Sequence, residues 1–289
     1  MLEMRKVGKI YGKNVVAVDD VKLTLEAGVV GLIGHNGAGK TSLMQMIATL
    51  TRPTTGHILF NGTDIVKDPD AIRRRLGYLP QDFGVYPNLS ALEFLQYFAA
   101  LKGVSDPRRP VQVLELVNLH GLAARQAATF SGGMRRRLGI AQALLNDPDI
   151  LVVDEPTAGL DPEERLRFRH LLSELGMRKL VIVSTHIVSD IEDIAGSLAI
   201  MRSGKLVSFG TPDSFIAKAR GQIWSATLAP GAYEALGQQV KVLQAKRGAA
   251  GVAVRIAHPS VPCGGAVAVE PTLEESLMAQ RYAVRELAA

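Results

Sequence analysis

The 289-residue sequence predicts a domain of the α/β class, with an antiparallel β segment at its start and a small β-rich α+β appendage at its end. Two observations indicate the α/β class: short apolar runs rich in β-branched residues, and longer stretches of helical pattern between them. Continuous apolar runs are typical of parallel strands that helices cover on both faces. The predicted strands are 29–33, 150–153, 180–184 and 197–201, and the predicted helices are 41–49, 91–101, 111–116, 134–145, 162–174 and 189–195.

The two ends of the chain depart from this alternation. Near the start, 15–18 and 21–25 predict two short strands of an antiparallel piece, with two aspartates between them. After residue 210 the composition shifts toward Ala, Gly and Val. The elements predicted there are strands at 222–228, 240–243 and 252–256 and a helix over 272–287. We therefore expect two domains, 1–218 and 219–289, of which the second is small for an independent core.

The composition excludes several classes of protein. Hydrophobic residues make up 47% of the chain and charged residues 21%, which is typical of a globular protein and too apolar for a disordered one. No uncharged apolar run reaches the roughly 18 residues of a membrane span, and the N-terminus lacks the pattern of a signal peptide. The single cysteine, Cys263, cannot form an intramolecular disulfide, which fits a reducing compartment.

The net charge of +5 is mild, and its densest basic clusters are the arginine triplets 73–75 and 135–137. We expect both triplets to lie on solvated helix faces. A nucleic-acid surface is the alternative. It lacks the interleaved aromatic residues that such surfaces use, since aromatic residues are only 5% of the chain.

A glycine-rich segment follows the first predicted strand. Residues 34–41, Gly-His-Asn-Gly-Ala-Gly-Lys-Thr, match the phosphate-binding pattern G-x-x-x-x-G-K-[ST] in full. Glycines tolerate positive φ, so backbone N–H groups can curl around phosphate oxygens at a helix N-terminus. Lys40 is expected at the β- and γ-phosphates and the Thr41 hydroxyl at Mg²⁺; the alternative is an incidental glycine-rich turn. The predicted nucleotide-binding residues here are Gly34, Asn36, Gly37, Ala38, Gly39, Lys40, Thr41 and Ser42.

Two acidic residues, Asp154 and Glu155, end the apolar run 150–153. A carboxylate at the end of a strand beside a phosphate loop can hold Mg²⁺ of a nucleotide, and Asp154 is the candidate, acting through water. Glu155 is the candidate for orienting or deprotonating an attacking water molecule. The alternative is a pair of acidic residues that favours the start of a helix.

A second glycine-containing motif, Phe130-Ser131-Gly132-Gly133-Met134, precedes the basic helix. Ser131 is a good N-cap residue. The two glycines leave backbone N–H groups open at a helix N-terminus, which predicts a second anion site. The alternative is a capped helix after a flexible loop.

Together the three motifs resemble the nucleotide-binding subunits of ATP-binding cassette (ABC) transporters. The motifs stand in the order and spacing of that family, and most other phosphate-loop ATPases lack the signature at 130–134. The family usually has Gln at Met134 and often Leu at Phe130, and neither difference alters the serine and glycines that contact phosphate. The resemblance covers residues 1–218. It implies a P-loop NTPase fold with a helical subdomain at about 82–130.

The resemblance also implies roles for four further residues. Tyr11 matches the aromatic residue that stacks on adenine, and Gln81 matches the glutamine that contacts Mg²⁺ and water and senses the membrane partner. Asp161 matches the aspartate through which the two subunits communicate, and His186 matches the histidine at the γ-phosphate. The alternatives are a half-buried tyrosine, a polar loop residue, a helix N-cap and a structural histidine.

The resemblance implies ATP and Mg²⁺ as cofactors and a head-to-tail dimer as the working form. Ser131 and Gly133 of one subunit would contact the ATP bound by the other, in a homodimer or with a sister ATPase subunit. The dimer would drive a separate transmembrane permease from the cytoplasmic face of the membrane, with no nucleic-acid partner. The ending 270–277 resembles that of export subunits. The alternatives are a soluble ATPase of the superfamily that acts on nucleic acid or ribosomes, and a nucleotide-binding regulator that hydrolyses slowly.

Overall fold

The structure is a computed structural model that describes residues 1–157 and 159–286, with side chains described to residue 280. The chain divides into two compact units, Met1–Phe209 and Gly210–Ala289. This division lies before the boundary predicted after residue 218. The helix Pro212–Ala219 packs against the helix Leu273–Glu286 and so belongs with the second unit.

The first unit contains two sheets and the helices that cover them. Its strands are β1 (Leu2–Tyr11), β2 (Val15–Leu25), β3 (Gly28–Ile33), β4 (Thr55–Phe60), β5 (Thr63–Asp64), β6 (Leu76–Leu79), β7 (Ile150–Asp154), β8 (Leu180–Thr185), β9 (Ser197–Arg202) and β10 (Lys205–Gly210). Its α-helices are α1 (Lys40–Ile47), α2 (Pro69–Arg73), α3 (Ala91–Leu101), α4 (Arg109–Leu116), α5 (Gly132–Ala143) and α6 (Pro162–Gly176). Short 3₁₀ turns occur at His120–Leu122, Ala127–Thr129 and Val188–Asp190.

The main sheet has the order β10-β9-β3-β8-β7-β6, and the five strands from β9 to β6 pair in parallel. Every residue of β7 and β8 is buried, as their continuous apolar runs predict. Helix α6 packs against β3 and β8, and α5 packs against β6. The α/β class is therefore confirmed, and the carboxyl ends of β3, β7 and β8 meet at one edge of the sheet.

The second sheet has the order β2-β1-β4-β5, and its described pairs are antiparallel. The prediction of two strands at 15–18 and 21–25 is wrong, because β2 runs through the two aspartates as one strand. Pairing with β1 extends from Leu2↔Leu25 to Tyr11↔Val15, and shifts of register along the pair absorb the irregularity. Asp20 adopts a φ of 46° at this point.

Helices α3, α4 and α5 pack against one another. Helix α3 has the predicted bounds, and Ser90 and Glu93 form a capping box at its start. The α-helix predicted at 189–195 is wrong: a 3₁₀ turn at Val188–Asp190 leads into irregular turns. The Asp190 side chain bonds to Thr157 here instead of facing solvent, and the Gly196 N–H already donates to a strand carbonyl, that of Val29 in β3.

The second unit is a four-stranded sheet with helices. Its elements are α7 (Pro212–Ala219), β11 (Ile223–Leu228), α8 (Pro230–Gly237), β12 (Lys241–Gly248), β13 (Gly251–Ala257), β14 (Val267–Ala268) and α9 (Leu273–Glu286). The sheet order is β12-β13-β11-β14, with antiparallel pairing. The three predicted strands and the terminal helix are confirmed, although residue Leu287 of the predicted helix lies outside the described residues.

Helix α9 begins with a capping box. The Thr272 N–H donates to Glu275 Oε2 at 2.8 Å, and the Glu275 N–H donates to Thr272 Oγ1 at 3.2 Å. Arg255 of β13 donates to the same carboxylate through Nε and Nη2, both at 2.6 Å. Burial alone raises the pKa of Glu275, but the hydrogen bonds from Arg255 and Thr272 outweigh it and lower the pKa below its ordinary value of 4.5.

We expect Glu275→Gln to destabilise the second unit at neutral pH by about 1–3 kcal/mol. A carboxyl group with a lowered pKa contributes stability above its ordinary pKa, and this contribution is lost as the pH falls through the lowered value. The difference between wild type and variant should therefore shrink below about pH 4.5. Hydrogen exchange of the α9 amides measures it, with Glu274→Gln on the exposed side of the same turn as control. A difference that stays constant down to pH 2 would contradict the assignment.

Candidate functional site

The loop between β3 and α1 has the backbone geometry of a phosphate cradle. Gly37 and Gly39 adopt φ values of 80° and 97°, in the left-handed region that favours glycine. A Cβ atom at Gly39 would lie 2.2 Å from the carbonyl oxygen of Ala17, so no larger residue fits there. The glycines of the motif are therefore needed for the turn into α1.

Lys40, the first residue of α1, points its side chain back into this loop and is only 5% exposed. Its Nζ donates to the carbonyl oxygens of Gly34 at 2.7 Å and His35 at 3.4 Å. The same Nζ lies 3.6 Å from Glu155 Oε1. A buried ammonium group needs such partners, and its position at the mouth of the loop suits a phosphate.

The two carboxylates at the end of β7 have different partners. Asp154 is 1% exposed and accepts a hydrogen bond from the hydroxyl of Ser184, on the neighbouring strand β8. The Ser184 hydroxyl in turn accepts from the Glu155 N–H at 2.9 Å. Glu155 adopts a φ of 44°, which is strained for a residue other than glycine. Sequence analysis missed Ser184, although a polar residue at the end of an apolar run was the available signal.

Tyr78 of β6 is a second residue that sequence analysis missed. Burial, together with the negative charge of Asp154, raises its pKa to about 12. Ionisation of the phenol next to the buried Asp154 is therefore disfavoured.

His186 follows β8 and joins the group formed by Lys40 and Glu155. Its Nδ1 lies 3.2 Å from Glu155 Oε1, within hydrogen-bond distance. The structure thus brings a lysine, a glutamate and a histidine together at the edge where β3, β7 and β8 end. The sequence predicted all three residues.

The segment after Glu155 turns sharply into α6. Gly159 adopts a φ of 75°, and Asp161 caps α6 by accepting from the Glu164 N–H at 2.9 Å. The Thr157 hydroxyl donates to Asp190 Oδ2 at 2.5 Å, which ties this segment to the turn after His186. Asp161 is therefore an N-cap, and its role between subunits stays a prediction.

Ser131 caps α5, where its Oγ accepts from the Met134 N–H at 3.2 Å. Ser131 and Gly132 are exposed, whereas Gly133 is buried. Among the described residues, the contacts of Ser131 stay within its own turn of helix and none reaches the phosphate loop of the same chain. The signature therefore offers an exposed helix N-terminus whose described hydrogen bonds do not involve the phosphate loop of its own chain.

Gln81 is exposed and lies beside the start of α5. With Gly132, Arg135 and Arg136 it lines a cleft of about 420 Å³. Arg136 Nη1 donates to the carbonyl oxygen of Pro80, the residue before Gln81, at 3.4 Å. Burial lowers the pKa of the Arg136 guanidinium, and nearby carboxylates including that of Glu155 oppose this shift. The Gln81 loop and the signature helix are thus joined within one chain.

The prediction of a solvated face is wrong for 135–137. Arg135 Nη1 donates to the Phe130 carbonyl oxygen at 3.1 Å, and Arg137 Nη1 donates to that of Val117 at 3.1 Å. Arg137 is only 8% exposed. These guanidinium groups donate to the protein's own backbone, so the triplet is not a freely solvated face. The triplet 73–75 is exposed, as predicted.

Tyr11 lies at the end of β1, opposite Val15 in the hairpin to β2. Its ring is exposed, with Lys9 Nζ 5.0 Å from the ring centroid. An exposed aromatic face suits a stacked base, and the role of Tyr11 toward adenine stays a prediction.

The donor groups at this edge suit Mg²⁺. Among the side chains described, those of residues 1–157 and 159–280, no group of three or more His, Cys, Asp or Glu could hold a metal ion. Mg²⁺ in nucleotide sites is commonly held by one or two carboxylates with hydroxyl, water and phosphate oxygens. Asp154, Thr41 and Gln81 offer only oxygen ligands of this kind.

In the part of the chain that the structure describes, no helix has both the length and the apolar character to cross a bilayer.

Comparison with known proteins gives relatives of one family. The sequence matches the model of the ABC transporter family over residues 18–158. It is 38% identical over 221 residues to the Nod factor export ATP-binding protein I of Cupriavidus metallidurans, across 75% of this chain and 73% of that protein. It is 37% identical over 226 residues to the methionine import ATP-binding protein MetN of Corynebacterium efficiens, across 73% of this chain and 62% of the other.

A solved structure agrees with these relatives. The dimeric post-hydrolysis state of the ATP-binding cassette MJ0796, bound to ADP and phosphate, aligns with a TM-score of 0.66 at 27% identity, over 73% of this chain and 98% of that one. This similarity to a solved ATP-binding cassette confirms the P-loop NTPase fold that the sequence predicted. Because the 38% identity to the Nod factor protein extends across most of both chains, the chain belongs to the ABC transporter family, in which it is an ATP-binding subunit with ATPase activity.

Proposed function

We propose that this chain forms one half of a head-to-tail dimer that closes on two molecules of ATP. The observation that carries the proposal is the separation of its two anion-binding elements. The contacts described for Ser131 stay within its own helix turn and none involves Lys40, which supports a second copy or a sister subunit as the source of the signature at each nucleotide. The similar cassette MJ0796 is dimeric, and a two-fold interface uses the same surface of each subunit twice.

Electrostatics explains why ATP would close this dimer. The γ-phosphate carries negative charge that can interact with Lys40 of one subunit and with the N-terminus of α5 of the other. Hydrolysis removes the group that both subunits share, so the open state regains its population. The free-energy difference between ATP and its products is thereby converted into opening and closing.

In hydrolysis, Glu155 orients and deprotonates the attacking water, and His186 contacts the γ-phosphate. Lys40 stabilises the charge on the transferring phosphoryl group. The existing contacts hold Glu155 Oε1 between Lys40 Nζ and His186 Nδ1, at 3.6 and 3.2 Å. Thr41, Asp154 and Gln81 would hold Mg²⁺, which supplies charge neutralisation at the phosphates when bound.

We propose further that a transmembrane permease docks beside Gln81, at the cytoplasmic face of the membrane. An aromatic cluster begins two residues after Gln81. Its rings are those of Phe83, Tyr86, Phe94, Tyr97 and Phe98, with neighbouring ring centroids 4.8–6.4 Å apart. Tyr86 and Tyr97 are 49% and 45% exposed. Exposed aromatic residues with a rigid base are typical of protein interfaces, and here they adjoin the loop that would report the nucleotide state.

Export is the direction that we propose. The Nod factor relative is an export subunit, and the segment 270–277 resembles the ending of export subunits. The methionine import relative shows that cassettes of either direction share this sequence pattern. The cargo would be selected by the permease, since the described site accounts only for the nucleotide.

The first test of the proposal is Glu155→Gln. Loss of the general base should lower the rate of phosphate release by about 10²-fold or more, while ATP binding persists and the variant accumulates as a dimer in ATP. Turnover and size-exclusion chromatography measure the two effects. Glu174→Gln, exposed near the end of α6, is the control. Turnover within a few-fold of wild type would remove Glu155 from this role.

The proposed stacking of Tyr11 on adenine is tested by measuring the affinity for ATP. Tyr11→Ala should weaken ATP binding by about 1–3 kcal/mol, by analogy with base–aromatic contacts. The rate at saturating ATP should change little, because the ring does not touch the reacting atoms. Calorimetry measures the affinity, and Tyr11→Phe should bind like wild type because it keeps the stacking surface. Equal affinities for all three proteins would show that Tyr11 does not contact the base.

The docking surface is tested by co-purification from gently solubilised membranes. A tagged wild-type chain should retain a stoichiometric integral membrane protein. Tyr97→Ser should lose it without a change in ATP binding, because the exposed ring lies outside the nucleotide site. Met177→Ser, at an exposed position on the end of α6, should retain it. Recovery of wild type only with ribosomes or nucleic acid would overturn the permease proposal.

A further inference from the structure

Gly133, the second glycine of the signature, lies against a carboxylate from another helix. A Cβ atom at Gly133 would lie 2.9 Å from both Cγ and Oε2 of Glu164, which belongs to the first turn of α6. The Glu164 side chain is almost buried. A negative charge therefore lies directly beneath the N-terminus of α5.

Glu164 has a structural reason to be there. An acidic residue in the first turn favours α6 through the helix dipole, and the Glu164 N–H is the group that Asp161 caps. The same carboxylate would weaken phosphate binding at the N-terminus of α5, which is proposed to bind the phosphates of ATP. Two anions at one helix N-terminus repel each other, and exclusion of water at a dimer interface strengthens the repulsion.

Arg137 neutralises this carboxylate from within α5, one turn after Gly133. Its Nε lies 3.1 Å from Glu164 Oε2, and its Nη2 donates to Oε1 at 3.2 Å. Its remaining nitrogen donates to the carbonyl oxygens of Val117 and Asn118, at 3.1 and 3.2 Å. The guanidinium is thus held in one orientation: Nη2 donates to Glu164, and Nε lies against the same carboxylate without a hydrogen bond.

Arg167 also contacts Glu164 Oε1, at 3.1 Å, but from the solvent side and with a half-exposed side chain. Solvent and salt screen such a contact far more than the buried one. Neutralisation beneath Gly133 therefore depends mainly on Arg137.

We propose that Arg137 is a positioning residue for the ATP bound by the partner subunit: it neutralises Glu164 beneath Gly133, so that the N-terminus of α5 can accept phosphate. The inference rests on the proposed head-to-tail dimer. Arg137 would then affect ATP binding through Glu164, without contacting the nucleotide itself.

The test compares the two partners of the ion pair in the full-length chain. Arg137→Gln removes the buried counterion of the Glu164 carboxylate, and the ATP concentration for half-maximal turnover should rise about tenfold. Glu164→Gln leaves the guanidinium, and that concentration should fall about threefold. The double variant should return close to wild type. The rate at saturating ATP should change less than the ATP requirement in all three.

Opposite changes in the ATP requirement of the two single variants distinguish this role from a purely structural one. Loss of a buried ion pair destabilises a protein whichever partner is removed, so a purely structural role predicts the same sign for both single variants. Arg137→Lys keeps the positive charge without the guanidinium geometry and should stay within threefold of wild type. Arg167→Gln, on the solvent side of the same carboxylate, should have a smaller effect than Arg137→Gln.

Two outcomes would overturn the inference: single variants that raise the ATP requirement equally, or a double variant no better than Arg137→Gln. If Arg137→Gln does not fold, as thermal unfolding would show, the lower ATP requirement of Glu164→Gln still decides the sign. ATP-dependent dimerisation of Glu155→Gln separates the two proposals. Without it the dimer itself fails, whereas dimerisation with unchanged ATP requirements in the ion-pair variants overturns only the inference.

Discussion

The parallel pairing of β3, β8 and β7 is the constraint on which the rest of the first unit depends. The register places Ile33 beside Thr185 and Asp154 beside Ser184. The loops that follow these three strands therefore start at the same height, and their side chains converge. A slip of one residue would turn Asp154 to the opposite face of the sheet. The hydrogen bond from the Ser184 hydroxyl to the buried Asp154 carboxylate opposes that slip, because a slip would leave this carboxylate without its partner.

Buried charges at this edge are balanced by groups that a nucleotide can replace. Lys40 Nζ bonds to two loop carbonyl oxygens and lies 3.6 Å from Glu155. A phosphate in the loop can replace part of these contacts to Lys40. The desolvation penalty of phosphate binding is then smaller than for a fully hydrated ammonium group. The strained φ of Glu155 is held by the Ser184 hydroxyl, which accepts its N–H. The hydrogen bond between the ends of β7 and β8 therefore fixes the backbone from which Glu155 extends.

Sequence patterns predicted the elements whose signal is local. The apolar runs of the parallel strands, the cap at Ser131 and the phosphate loop each follow from residues within a few positions of one another. What could not be predicted depends on contacts between distant segments. β2 continues through its two aspartates because β1 pairs along its whole length, and Asp190 leaves a helical pattern because it bonds Thr157. The arginines at 135–137 have the composition of a solvated face, and only the fold supplies the carbonyl oxygens and the carboxylate that bury them.

Helix α5 is the element through which these distant contacts meet. Its N-terminus carries the exposed Ser131, its Arg136 bonds the residue before Gln81, and its Arg137 bonds the carboxylate at the start of α6. A rigid helix transmits displacement along its whole length. The Gln81 loop is joined to α5 by the Arg136 contact at 3.4 Å, which is long for a hydrogen bond, and by Phe83, whose ring packs against Gly139 of α5. The Arg137 contact to α6 is shorter and buried. Helix α5 is thus fixed on both sides, so a movement of the Gln81 loop has to strain one of these contacts or shift the signature. In the proposed head-to-tail dimer, α5 would therefore couple the signature that faces one ATP both to the Asp161 segment and to the Gln81 loop at the other.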